Sequence, residues 1–105
     1  MEKVTYEVQF GRFNADPDFY GEYDTFDEAL SEYEIQKLWF YEDIKSALKR
    51  RARLLSDLSD RSVHLNKLIS TYSDDGECDD VVTERLYIYG TAADWDAIRE
   101  ELKKA

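Results

Sequence analysis

The chain has 105 residues, room for one domain and one core, and its 43% hydrophobic content with eight Tyr, five Phe and two Trp excludes a disordered acidic tail. A formal net charge of −10 excludes free nucleic acid as the ligand, since phosphate binding needs a net basic footprint. No run of 18 apolar residues occurs, and "MEKVTYEVQF" carries charges where a signal peptide needs an apolar stretch, so a cytoplasmic protein without membrane contact is expected.

The charge is segregated. Residues 1–44 carry a net −9, residues 45–67 a net +5 and residues 68–105 a net −6. A basic middle between acidic flanks either folds against its own acids or shows partners two faces of opposite sign. Cys78 is the only cysteine, which rules out an intramolecular disulfide and agrees with a reducing compartment.

In chain order, "KVTYEVQFGRF" alternates, with Val4, Tyr6, Val8 and Phe10 on one face, and predicts a half-buried strand. "NADPD" has turn chemistry and "FYGEY" returns as a second strand, giving an N-terminal hairpin. "TFDEALSEY" changes period: Thr25 and Glu28 form a capping box, and Phe26, Ala29, Leu30 and Tyr33 share a helical face. "IQKLWFY" is ambiguous by periodicity. Beyond it, "EDIKSALKRRARLLSDL" predicts a second, basic helix with Ile44, Leu48, Leu55 and Leu58 as its apolar stripe.

Residues 62–72, "SVHLNKLISTY", fit either period, the helical one slightly better. The next segment, "DVVTERLYIYG", reads as a strand at about 81–89 that needs a neighbour, and Asp75-Gly76 is a turn signal, so a hairpin is favoured. Tyr87 and Tyr89 opposite Leu86 and Ile88 make both faces of this strand apolar, predicting a central or doubly covered position. "TAADWDAIREELKKA" closes the chain as a helix capped by Thr91, with Trp95, Ile98 and Leu102 inward. No internal repeat is evident. The expected fold is α+β: one small domain over residues 1–105, an antiparallel sheet of about three to four strands, and two to four helices packed on it.

The acidic stretch "SDDGECDD" fails as an EF-hand, because counting back from Gly76 puts Thr71 where the first ligand belongs. One Cys and one His are too few for a closed zinc site, so no metal and no cofactor are expected. His64, the only imidazole, has no nucleophile elbow or phosphate loop beside it and reads as structural; no catalytic residues are assigned. In the basic stretch, Lys45, Lys49 and Arg53 form one row that reads as a solvated face answering the protein's own acids.

What remains is binding. "LWFY" at 38–41 cannot all face one core, so an aromatic such as Trp39 or Tyr41 is expected at the surface as an interface anchor. Together with Asp74, Asp75, Glu77, Asp79 and Asp80 it composes an expected site for a basic protein partner, such as a nucleic-acid-binding enzyme. Small acidic inhibitors of phages and mobile elements, anti-restriction and anti-CRISPR proteins among them, are similar in size and charge, a likeness of composition that no motif carries. The alternative is a non-catalytic accessory subunit, with room for a homo-oligomer, whose acidity serves solubility.

Overall fold

The computed structural model describes residues 1–12, 16–50 and 58–104. Alternation in the first segment gives strand β1 (Glu2–Arg12), and the turn-rich stretch after it returns the chain as β2 (Phe19–Tyr23). Helix α1 (Phe26–Arg50) follows, then β3 (Arg61–Tyr72), β4 (Cys78–Tyr89) and helix α2 (Ala92–Lys104). The strands form one antiparallel sheet in the order β2-β1-β3-β4, an α+β arrangement of two successive ββα units with β1 and β3 at the centre.

The two units repeat one piece of chemistry that a scan for sequence identity passes over. Tyr23-x-Thr25-x-x-Glu28 and Tyr89-x-Thr91-x-x-Asp94 occupy the same place, strand end to helix start. Thr25 Oγ1 accepts the Glu28 N–H at 3.2 Å and donates to Glu28 Oε1 at 2.9 Å. Thr91 Oγ1 does the same with the Asp94 N–H at 3.4 Å and Oδ2 at 2.9 Å. Each cap satisfies helix-end donors that would otherwise be orphaned.

Both helices lie on one face of the sheet. Val8, Val63 and Leu65 meet Ala29, Tyr33, Phe40 and Ile44 of α1 and Trp95 and Ile98 of α2 in a single core cluster. Phe40 is the wedge, edge-on to Phe10 (5.0 Å) and to Tyr89 (6.2 Å). Gly90, at φ 114°, is required beside it, because a Cβ there would stand 2.8 Å from the Phe40 ring. The opposite face is polar: Glu22, Glu7, Asn66 and Arg85 form a row across the four strands, with the Asn66 amide donating to the buried Glu7 carboxylate at 2.9 Å.

Helices and sheet are staggered. Phe26, the first residue of α1, meets Tyr6 (5.8 Å) and Tyr87 (6.4 Å), so the helix begins over the middle of the sheet and runs away from the β3–β4 turn. About 23 Å of ladder lies between the Leu65 row and that turn. The molecule extends 58 × 25 × 18 Å, and its radius of gyration of 16.7 Å exceeds the roughly 13 Å of a compact domain of this length.

Two expectations are corrected. The capped helix and the basic helix are one continuous element to Arg50, since nothing between Tyr33 and Ile44 breaks or caps a helix; Leu55 and the other residues of 51–57 lie outside the described ones. β4 is an edge strand, exposed along almost its whole length, not a central one. Tyr87 and Tyr89 turn to the helices, while Ile88 stands on the open face. The disputed segment 62–72 is strand, as the hairpin reading required.

Asp94 yields a pH test. Burial pushes its carboxyl up, but hydrogen bonds from Gly90 N (2.9 Å), Thr91 N (3.0 Å) and Thr91 Oγ1 outweigh it and hold the pKa below the usual carboxylate range. A depressed folded-state pKa stabilises above the unfolded value, near 4, and that contribution is lost as pH falls through the folded value. Asp94→Ala should therefore lower stability by about 1 kcal/mol in urea unfolding at pH 7, with a smaller difference at about pH 3. An undiminished difference at the lower pH would contradict this assignment.

Candidate interaction surface

α1 is apolar on more sides than one core can use. Its buried stripe is Ala29, Tyr33, Gln36, Phe40, Ala47 and Ile44, with Gln36 held by the Glu32 carboxylate at 2.9 Å. On the surface turned to solvent stand Ile35, Leu38 and Trp39, spaced i, i+3 and i+4, with 42%, 56% and 60% of their area exposed. Asp27, Glu28 and Glu34 lie on one side of this trio along the helix and Glu42 and Asp43 on the other, all exposed. A shallow cleft of about 150 Å³, lined by Glu34, Lys37, Leu38, Tyr41 and Tyr89, adjoins Leu38. Farther along, the surface turns basic, with Lys45, Lys49 and Arg50 around a second hollow of about 250 Å³.

Trp39 is the aromatic that the "LWFY" run leaves in solvent; Tyr41 has another place. Its hydroxyl donates to the Glu101 carboxylate of α2 at 2.6 Å, and Lys45 reaches the same carboxylate at 3.3 Å, closing the seam between the helices. The hydrogen bond to Glu101 raises the Tyr41 pKa, and its donation lowers that of Glu101. Lys45 thus answers the protein's own acid, while Arg53 of the same expected row lies outside the described residues.

The acidic loop sits at the tip of the β3–β4 hairpin. Gly76 takes φ 87°, Ser73 N donates to Glu77 O at 2.9 Å, and the Ser73 hydroxyl contacts Asp75, which lowers the Asp75 pKa. Asp74, Asp75, Glu77, Asp79 and Asp80 are all exposed. The structure does not bring them to Trp39: the hairpin overhangs one end of the molecule and Trp39 rides the helix toward the other. Of these acids, Asp80 shares a side with Trp39. Asp80 and Glu84 project from the sheet face that carries the helices, the direction in which the outer surface of α1 also looks.

His64 is half-buried on the open sheet face, its Nε2 2.6 Å from Ser62 Oγ; burial and then the Arg85 charge lower its pKa, leaving it neutral at pH 7. On the same face Tyr20 has its pKa pushed up to about 12 by burial and the Glu7 carboxylate. Among the described residues no group of three or more His, Cys, Asp or Glu is placed to hold a metal ion, and no helix is long and apolar enough to cross a membrane. Comparison with family models, with curated proteins and with solved structures found no match.

Sequence reasoning missed Ile35 and Leu38. The signal was present: with Tyr33, Phe40 and Ile44 taken as the buried stripe, positions 35 and 38 fall on the far side of the helix.

The two tryptophans differ enough to be read separately. Trp95 is buried in the core and Trp39 is exposed, so acrylamide should quench one emitting component and spare the other, and Trp39→Phe should remove the quenchable one while changing stability by less than about 0.5 kcal/mol. Loss of the protected component on that substitution would reverse the placement of the two rings.

Proposed function

We propose that this protein is a non-catalytic binding module that occupies a basic, nucleic-acid-binding surface of a partner protein and thereby inhibits it. The observation that carries the reading is the exposed trio Ile35, Leu38 and Trp39 framed by Asp27, Glu28, Glu34, Glu42 and Asp43. An apolar centre with a charged rim is the anatomy of a protein interface, and Trp is the residue most often found as its anchor. The acids determine what fits: Lys and Arg must surround the complementary pocket, as they do where a protein grips phosphates. Asp80 and Glu84 of the hairpin look out on the same side as the acids of α1 up to Asp43, and lend that side a negative field that ends where Lys45, Lys49 and Arg50 begin.

Self-association through this patch is the poorer fit. A two-fold interface sets a patch against itself, so Glu34 and Glu42 would meet like charges around the apolar centre.

The test is capture from a cell lysate by the immobilised protein, followed by kinetics with the captured partner. The partner should be a basic nucleic-acid-binding protein that heparin displaces. Trp39→Ala should speed dissociation by tenfold or more, on the order of 1.4 kcal/mol. Neutralising Asp74, Asp75, Glu77, Asp79 and Asp80 to Asn or Gln should slow association and flatten its salt dependence. Capture that is indifferent to salt, heparin and Trp39→Ala would refute the proposal.

A further inference from the structure

The backbone edge of β4 is a surface feature that the proposed function does not use. The other edge strand, β2, has five residues; β4 has twelve, and no strand pairs with its outer side among the described residues. Such an edge presents backbone donors and acceptors to solvent; the Val81 N–H among them donates to the Asp80 carboxylate at 2.9 Å, a local bond that an incoming strand would replace. Register shifts at Leu65/Asn66 and at Thr71/Tyr72 disturb both ends and leave one regular stretch, Asp80 to Arg85 opposite Asn66 to Thr71. Over that stretch the helices no longer cover the sheet, and Val81 and Val82 are 48% and 52% exposed on opposite faces.

The pattern on this stretch is specific. On the face toward the helices, Val4, Ile69 and Val82 make an apolar row across β1, β3 and β4, ending at the open edge. Flanking Val82 on that face are Asp80, in the row of Glu2 and Thr71, and Glu84, in the row of Tyr6 and Lys67. The edge therefore reads acid, apolar, acid at alternate positions. A strand laid beside it places its own side chains directly opposite, where unlike charges attract and an apolar residue extends the row.

We infer that β4 receives an extended segment of another protein as a fifth, antiparallel strand, and that this segment carries Lys or Arg, a β-branched residue, and Lys or Arg at alternate positions. Backbone pairing supplies affinity and the three alternating side chains supply selectivity. A second copy of this chain is the wrong occupant: with Val82 opposite its own symmetry mate, Asp80 faces Glu84 on both sides of the axis, two acid-on-acid pairs. The site shares Asp80 with the acidic hairpin of the proposed function but uses no residue of the Trp39 patch on α1, and stands or falls without that patch.

The experiment uses the whole protein, labelled for NMR, and a capped synthetic peptide Thr-Lys-Thr-Val-Thr-Lys-Thr. The expected result is backbone shift changes centred on residues 80–85, slowed amide exchange along that stretch, and affinity about tenfold tighter than for a peptide of identical composition with adjacent lysines. Replacing both peptide lysines by glutamate should abolish binding. Val82→Lys should weaken binding about tenfold, whereas Trp39→Ala should leave it unchanged. Equal binding of the scrambled peptide, shift changes centred on α1, or a dimer of this chain through β4 in sedimentation would each overturn the inference; the peptide comparisons need no variant to fold.

Discussion

The structure depends on the offset between its helices and its sheet. β3 and β4 are twelve residues each, about 40 Å of ladder. α1 is as long as a strand, yet its first turn lands on Tyr6 and Tyr87, so only the half of the sheet around Val8, Val63 and Leu65 receives helical side chains. Apolar burial, which supplies most of the favourable free energy, is concentrated there, with Phe40 between Phe10 and Tyr89 at its centre. The far half is held by backbone pairing, by cross-strand neighbours, and by the Met1–Tyr72 bonds that fasten the start of the chain to the tip.

The same offset explains what is left open. A helix placed wholly over the sheet would cover Val82 and the distal row; this one exposes them and carries Ile35, Leu38 and Trp39 on its outer side. Exposed apolar groups in small clusters are tolerated where charge keeps the surface soluble, and here Val82 stands between Asp80 and Glu84 while Ile35, Leu38 and Trp39 stand between Glu34 and Glu42. Acid and apolar residues together confer solubility without a partner and complementarity toward a basic one.

Much of this architecture was legible in the residues. The alternation of Val4, Tyr6, Val8 and Phe10, the Thr25 and Thr91 caps, and the Asp75-Gly76 turn each indicate their element locally, because each rests on backbone chemistry that needs no tertiary context. Choices that depend on neighbours were not legible. Leu86, Tyr87, Ile88 and Tyr89 fit a central strand as well as an edge strand whose one face takes aromatics from a helix, and only strand order separates the two. α1 is apolar on several sides, so which stripe is buried is decided by the sheet, which prefers Gln36 with its Glu32 partner to Leu38. The repeated ββα topology is also invisible, since the units share cap chemistry and little else.

Native-state hydrogen exchange tests most directly whether stability is confined to the helix-covered half. Amides of β1 and β3 near Val8, Val63 and Leu65, and of α1 near Phe40, should exchange only through global unfolding, while residues 67–72 and 80–84 should open at lower free energy as one cooperative unit. Uniform protection along the full length of β3 would contradict that confinement and show that the distal hairpin is bound into the core by contacts other than the ladder.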